Sequence, residues 1–129
     1  LYAMELAGGK LKWKYKASNE IKSSPSVFHS VIYFGDEGGV FHAVDARTGK
    51  AKWTFRADGG ITSSPNSGGD RVLFGSYDQY LYCLSTRDGS LIWKLETEGY
   101  VHGMPPVVAS LAFIAGWVLL AVSGYRALG

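Results

Sequence analysis

Residues 43–53 read Ala43-Val44-Asp45-Ala46-Arg47-Thr48-Gly49-Lys50-Ala51-Lys52-Trp53, a polar turn between two strand-like runs. The same pattern occurs 40 residues earlier, over 3–13, and 40 residues later, over 83–93. Tryptophan closes each copy at positions 13, 53 and 93, and glycine stands at 9, 49, 89 and 129. A period of about 40 residues is typical of propeller and solenoid repeats, so the chain is predicted to be an array of such units.

The copies divide the 129 residues into one repeat array. Prolines at 25, 65 and 105 keep the same interval, which gives the array a second landmark. We expect a half unit over 1–17, complete units over 18–57 and 58–97, and a degenerate partial unit over 98–129. The first complete unit predicts strands at 21–27, 31–35, 40–45 and 50–56, and the second at 61–65, 71–75, 80–84 and 90–96.

The predicted fold is therefore all-β, built from propeller blades of four antiparallel strands. A closed propeller typically has about four to eight blades, whereas this chain spans about three 40-residue repeats. A repeat of this kind buries its apolar face only against a neighbour. We expect a partial propeller, which is either a piece of a longer protein or a segment that other copies complete.

The third unit departs from the pattern after Pro105-Pro106. No charged residue occurs from Val107 to Tyr125, and this length is sufficient for a membrane span. The two prolines and the retained interval to Gly129 favour two buried strands instead. A helix stays open as the alternative, and with it a membrane-anchored propeller fragment through 107–125, although a membrane partner is not the expectation.

Charge is close to balanced, with a formal net charge of +2. Nucleic-acid binding usually requires a concentrated basic stripe, so no nucleic-acid partner is expected. The densest basic cluster alternates with apolar residues and comprises Lys10, Lys12, Lys14 and Lys16. That alternation is typical of a strand with one solvated face, and a strip that docks an anionic partner is the alternative.

Candidate catalytic chemistry is sparse. Cys83 is the single cysteine, so no intrachain disulfide can form. The three histidines, His29, His42 and His102, fall at three different positions of the repeat, which disfavours a zinc or catalytic cluster. The paired serines at 23–24 and 63–64 precede prolines and are interpreted as hydroxyls at strand edges. No catalytic residue, metal site or cofactor is predicted.

The pattern Ala43-x-Asp45-x-x-Thr48-Gly49-Lys50-x-x-Trp53 resembles the tryptophan-docking motif of the pyrroloquinoline-quinone-like (quinoprotein-type) β-propeller repeats. The resemblance implies that each tryptophan packs between the small first residue and the glycine of its own motif and ties neighbouring blades together. An indole suits this role because it buries a large flat area and carries one N–H donor. By position the role falls to Trp13 with Ala3 and Gly9, Trp53 with Ala43 and Gly49, and Trp93 with Cys83 and Gly89.

Function does not follow from the fold, because similar propellers serve quinone-dependent dehydrogenases, outer-membrane assembly scaffolds and sensor domains. A quinoprotein of this kind needs a vicinal cysteine pair, which this chain lacks. We therefore expect a non-catalytic binding or scaffold segment whose partner is a protein, with self-association into a dimer favoured; a fragment of a quinone-dependent dehydrogenase is the alternative. The resemblance alone suggests a periplasmic or other extracytoplasmic location. Residues that could face the propeller channel or a ligand there are Glu20, Lys22, Thr62, Tyr100 and His102.

Overall fold

The computed structural model describes residues 1–97 in full and the backbone of two further strands at 107–114 and 117–123. Twelve strands occur in these residues. They are β1 (Tyr2–Met4), β2 (Leu11–Lys14), β3 (Ser26–Phe28), β4 (Val31–Gly35), β5 (Val40–Asp45), β6 (Ala51–Arg56), β7 (Asn66–Gly68), β8 (Arg71–Gly75), β9 (Tyr80–Ser85), β10 (Leu91–Glu96), β11 (Val107–Ile114) and β12 (Trp117–Ser123).

Two four-stranded antiparallel sheets form the centre of the described fold, in the orders β3-β4-β5-β6 and β7-β8-β9-β10. Their registers agree, since Val31 faces Asp45 in the first sheet and Arg71 faces Ser85 in the second. The pair β1-β2 precedes them and the pair β11-β12 follows. The all-β prediction and the four-stranded blade are confirmed.

The core lies between the two complete sheets and is largely aromatic. Phe41 of β5 stacks on Phe74 of β8 with ring centroids 4.1 Å apart. Phe74 stacks in turn on Tyr82 of β9, and Phe55 of β6 approaches both rings edge-on. Offset and edge-to-face arrangements are the favourable ones for such rings, so this stack fixes how the sheets face one another.

The first strand of each blade is shorter and later than predicted. Strands were expected at 21–27 and 61–65, but β3 and β7 occupy Ser26–Phe28 and Asn66–Gly68. The hydroxyl of Ser23 donates to the carbonyl of Gly35 and accepts from its N–H, both at 3.0 Å. Ser63 does the same with Gly75. A buried serine thus replaces the backbone pairing at this point, so these hydroxyls are not at strand edges as interpreted above.

The third unit contains strands where the sequence left a helix open. The pairing of β11 with β12 departs from the 40-residue register, because Leu111 faces Leu120. If the repeat continued, Leu111 would face Tyr125, because Val31 and Asp45, 80 residues earlier, face each other. None of the described residues belongs to a helix with the length and hydropathy that a bilayer crossing requires.

Candidate functional site

A one-residue β-bulge precedes each of the three repeated tryptophans. In β5-β6, Ala43 pairs with Trp53 but Val44 pairs with Ala51, which leaves Lys52 without a partner in the ladder. The same shift occurs before Trp13 and before Trp93. Bulges redirect the side chains beside them, so this feature positions the indoles relative to the rest of the strand.

Trp13 reaches from the pair β1-β2 to the following sheet. Its indole N–H donates to the carbonyl of Ala46 at 3.0 Å. The ring lies against Gly49, where a Cβ atom would stand 2.6 Å from the indole carbon Cδ2. Gly49 also has a φ of +74°, a conformation that residues with a Cβ rarely adopt. Glycine is therefore required here for two independent reasons.

Trp53 repeats this contact one blade later. Its N–H donates to the carbonyl of Thr86 at 3.1 Å. The ring covers Gly89, where a Cβ would lie 2.6 Å from Cδ2 and where φ is +76°. The two tryptophans therefore join successive sheets by the same combination of one hydrogen bond and one face contact.

The glycine partner differs from the one that the resemblance implied. Trp53 contacts Gly89 of the next motif, and Gly49 of its own motif is covered by Trp13. The small residue does belong to the same motif, since Ala43 is the cross-strand partner of Trp53. The physical reason is that the indole leaves its own sheet, so the close backbone approach occurs in the neighbouring one. Ala3 and Cys83 pair likewise with Trp13 and Trp93.

The pair β1-β2 exposes positions that are buried in the complete blades. Tyr2 and Met4 are 67% and 60% exposed, whereas His42 and Val44, 40 residues later, are 2% and 0% exposed. No atom lies within 4 Å of the place where a Cβ of Gly9 would stand. The β1-β2 turn is thus formed but uncovered.

A hydrogen-bonded chain of three side chains joins the first two sheets. The Tyr15 hydroxyl lies 2.9 Å from Nδ1 of His42, and Nε2 of His42 lies 2.9 Å from Oδ2 of Asp36. A neutral imidazole with its proton on Nε2 satisfies both contacts. His42 and Asp36 are buried, and burial together with the charge of Asp36 raises the pKa of the Tyr15 hydroxyl.

The sequence did not predict this hydrogen-bonded network of Tyr15, His42 and Asp36, because the three histidines were interpreted as scattered. The signal available was weak: Asp36 and His42 flank one hairpin turn six residues apart. The chain is fully satisfied internally, because the carboxylate of Asp36 also accepts from the N–H groups of Gly38 and Val40. It therefore acts as a polar tie between the sheets.

Two of the predicted channel residues, Lys22 and Thr62, stand at equivalent repeat positions, and each has a side-chain partner in the turn after the second strand of its blade. The ammonium of Lys22 lies 2.7 Å from a carboxylate oxygen of Glu37, and the Thr62 hydroxyl donates to that of Tyr77 at 3.1 Å. Glu20 is exposed, and its carbonyl accepts from the N–H of Glu37. Tyr100 and His102 lie outside the described residues.

Among the residues that the structure describes, the remaining reactive groups do not assemble into a centre. Within 1–97 and the two later strands, no three His, Cys, Asp or Glu side chains are arranged to hold a metal. Burial raises the pKa of the Cys83 thiol, which keeps it in the less nucleophilic protonated form. His29 stacks on Phe28 beside the β3-β4 turn.

Repeated four-stranded sheets joined by docked indoles define a β-propeller protein with quinoprotein-like repeats. A family profile described as "Outer membrane protein assembly factor BamB" matches residues 1–97, and the chain belongs to this family. No curated protein is similar enough to add to this comparison.

Solved structures agree with the assignment of the fold. BamB from Moraxella catarrhalis is 26% identical with a TM-score of 0.74, over 89% of this chain and 35% of that one. The quinohemoprotein alcohol dehydrogenase from Comamonas testosteroni is 22% identical with a TM-score of 0.67, over 88% of this chain and 19% of that one. The computationally designed Ika4 protein is 14% identical with a TM-score of 0.78, over 97% of this chain and 74% of that one. The chain thus spans about a third of the length of the BamB structure.

Proposed function

We propose that this chain is a non-catalytic β-propeller segment that serves as a protein-binding scaffold and completes its ring by associating with itself. The observation that carries the proposal is the uncovered pair β1-β2. Tyr2 and Met4 hold positions that are core in both complete blades, yet they are more than half exposed. The residues at the equivalent positions of both complete blades are buried. Such a difference between copies of one repeat indicates an interaction surface.

The family supports a protein as the partner. The matching profile names an assembly factor of the outer membrane, and a protein of that description works among other proteins. By this relationship we expect the chain to act outside the cytoplasm. This role is proposed for residues 1–129, which span about a third of the length of BamB from Moraxella catarrhalis.

A quinone-dependent dehydrogenase has less support. The similarity to a quinohemoprotein alcohol dehydrogenase, at 22% identity, extends to the fold alone. Two of the predicted channel residues already have side-chain partners: Lys22 pairs with Glu37, and Thr62 with Tyr77. A Ca²⁺ ion requires about six to eight converging oxygen ligands, and these pairs do not offer such a set.

Two measurements test the proposal. Light scattering after size-exclusion chromatography should give a discrete mass of twice the 14.0 kDa of one chain. The variant Met4→Lys should weaken this association, because it places a charge on the uncovered pair. The control Val27→Lys, at a residue that is 64% exposed within a complete blade, should leave it unchanged.

Titration with pyrroloquinoline quinone and Ca²⁺ should change neither the quinone absorbance nor the melting temperature of the protein. Saturable binding that requires both would overturn the non-catalytic assignment. A strictly monomeric, folded wild type would overturn the self-association and leave the scaffold role to partners of other sequence.

A further inference from the structure

Strand β6 is the outer edge of a complete blade, and a neighbouring unit lies on each side of that blade. It pairs with β5 and with no other strand among those that the structure describes. Tyr15 of the preceding unit contacts the blade on one side, and Phe74 of the following sheet contacts it on the other. The exposed edge of β6 thus follows from its outermost place in the blade. An edge strand presents a row of unpaired backbone N–H and C=O groups, which can pair with another chain.

The two faces of β6 point to different neighbours. Thr54 lies opposite His42 in the ladder, and His42 contacts the preceding unit. Phe55 lies opposite Phe41, which stacks on the following sheet. Directly opposed residues of an antiparallel pair lie on the same face of the sheet, and successive residues alternate between faces. Arg56 therefore shares the face of Thr54, so β6 has one polar face and one aromatic face.

The charge along β6 has a single sign. Lys52 and Arg56 are exposed cations, Lys50 directly precedes the strand, and no acid interrupts them. Among the residues that the structure describes, none of the three forms an ion pair with a carboxylate. Charges on an edge strand commonly prevent unwanted pairing, but this does not require one sign. The equivalent edge β10 carries Lys94 and Glu96, which cancel. The excess of cations on β6 therefore favours an anionic partner.

The aromatic face of β6 still offers apolar surface. Trp53 and Phe55 pack against the core of the blade but are only partly buried. A further strand paired with β6 would place every second side chain beside these two rings. The intervening side chains would lie beside Thr54 and Arg56. The two faces of β6 thus define a partner with two alternating kinds of side chain.

We propose that β6 receives an extended segment of another polypeptide as a fifth strand, and that acidic residues alternate with apolar ones in this segment. Its carboxylates lie beside Arg56, with Lys52 at the far end of the strand, and its apolar side chains lie beside Trp53 and Phe55. Main-chain hydrogen bonds supply affinity in such strand addition, and the alternate side chains supply specificity. This inference rests on the protein-binding role proposed above and is independent of the self-association.

An extended chain fits β6 better than an anionic membrane does. Arg56 lies on the face towards the preceding unit, and Phe55 lies on the face towards the following one. A flat bilayer surface cannot contact two opposite faces of one sheet together. A lipid headgroup also lacks the regular row of backbone donors and acceptors that an edge strand pairs with.

The test uses three fluorescein-labelled peptides of eight residues. The first alternates glutamate and valine. The second contains the same eight residues as a block of four valines followed by four glutamates, so it has the same charge without the alternation. The third repeats the first with every second backbone N–H methylated, which removes donors that strand pairing requires.

Three protein variants locate the binding surface. Arg56→Glu reverses a charge on β6, and Lys52→Glu together with Arg56→Glu reverses two. Arg87→Glu is the matched control, because Arg87 is exposed in the β9-β10 turn and the change in net charge equals that of Arg56→Glu. The melting temperature of each variant shows whether it still folds.

Fluorescence anisotropy at about 0.15 M salt, where distant charges are screened, should show that the alternating peptide binds the wild type and the Arg87→Glu control equally well. Arg56→Glu should raise the dissociation constant at least about tenfold, since it places like charges together in the contact. The double variant should raise it further. The block peptide and the methylated peptide should bind at least about tenfold more weakly than the alternating one.

The outcomes separate this inference from the broader proposal. Equal loss of binding in Arg56→Glu and Arg87→Glu, or equal binding of the three peptides, would mean attraction by net charge and would overturn the fifth strand. Sedimentation with phosphatidylglycerol vesicles that Arg56→Glu abolishes, without peptide binding, would assign β6 to a membrane surface instead. A wild type with the mass of two chains that binds no peptide would remove this inference alone. A monomeric wild type that binds the alternating peptide would support it and remove the self-association alone.

Discussion

Two sheet-to-sheet interfaces among the described residues use equivalent docked indoles, Trp13 and Trp53, but differ in what fills the space behind each indole. Where β1-β2 meets β3-β6, Tyr15 lies edge-on to Phe34 and His42, at centroid distances of 5.8 and 5.4 Å. Where β3-β6 meets β7-β10, Phe55 lies edge-on to Phe74 and Tyr82, at 6.3 and 5.5 Å. The geometry of the rings is conserved between interfaces, whereas their polarity is not.

This difference shows which positions set the spacing of the blades and which are free to vary. His42 and Tyr82 stand at equivalent positions, and each finds a carboxylate: His42 contacts Asp36, and the hydroxyl of Tyr82 donates to Asp78. The carboxylate of the second blade, Asp78, stands two repeat positions later in its turn than Asp36 does in the first, which suits the longer side chain of tyrosine. The docked indole and its glycine stay the same, so they determine how the sheets approach.

Loss of the indole at the complete interface should have the largest effect. Trp53→Ala should lower the free energy of unfolding by about 3–5 kcal/mol, since it leaves a cavity beside the core. Trp13→Ala should cost less, because the pair β1-β2 that it holds is already largely exposed. Urea denaturation followed by circular dichroism measures both. Equal losses would mean that β1-β2 is an integral part of the core.

The glycines under the indoles should come next. Gly89→Ala should destabilise by about 1–3 kcal/mol from overpacking against Trp53, in addition to about 1–2 kcal/mol for positive φ. Gly9→Ala provides the matched control, because its φ is +71° but nothing lies within 4 Å. It should show only the conformational cost in the monomer. Thermal and urea denaturation at low protein concentration would separate the two terms, and similar losses would contradict the close contact.

Removing one hydroxyl should distinguish the polar interface from the apolar one. Tyr15→Phe should destabilise by about 1–2 kcal/mol, because Nδ1 of buried His42 loses its partner. Tyr82→Phe should cost about 0.5–1 kcal/mol, because Asp78 retains the N–H of Asp58 as a donor. Urea denaturation at neutral pH gives both values, and the reverse order would contradict the larger contribution expected of the Tyr15 hydroxyl.

The smallest effects should appear in the exposed turns and should depend on pH. Backbone N–H groups of Arg47 and Thr48 lower the pKa of Asp45, and the hydroxyl and N–H of Ser90 lower that of Asp88. A lowered pKa in the folded state gives stability that is present at neutral pH and lost as the pH falls below about 4. Asp45→Asn and Asp88→Asn should therefore lower the melting temperature slightly at pH 7. The difference from the wild type should shrink as the pH falls below about 4, because the wild-type carboxylates then become protonated and lose their charge.

Much of the fold could be predicted because the repeat is explicit in the sequence. Trp13, Trp53 and Trp93 recur at 40-residue intervals, so the blades and most strand positions followed directly. The same regularity concealed the docking partner, because a strict period makes Gly49 and Gly89 equivalent. Periodicity alone cannot distinguish a contact within one unit from a contact with the next unit.

Other features escaped prediction because they depend on single side chains. The hydroxyl of Ser23 replaces backbone hydrogen bonds to Gly35, and strand propensity does not predict such a replacement. The chain of Tyr15, His42 and Asp36 has Phe55, Tyr82 and Ser76 at the equivalent positions of the next unit. Comparison between repeats therefore gave no signal for it, and only three-dimensional proximity does.

Both observed docking contacts point the same way, from an earlier unit to a later one. An assembly built by repeating such a one-way contact has rotational symmetry about its central axis and no twofold axis across it. Its two rims must then differ: one carries Glu37 and Tyr77 at the β4-β5 and β8-β9 turns, and the other carries the turns at Asp45 and Ser85. A molecule that recognises one rim would therefore approach every copy from the same side.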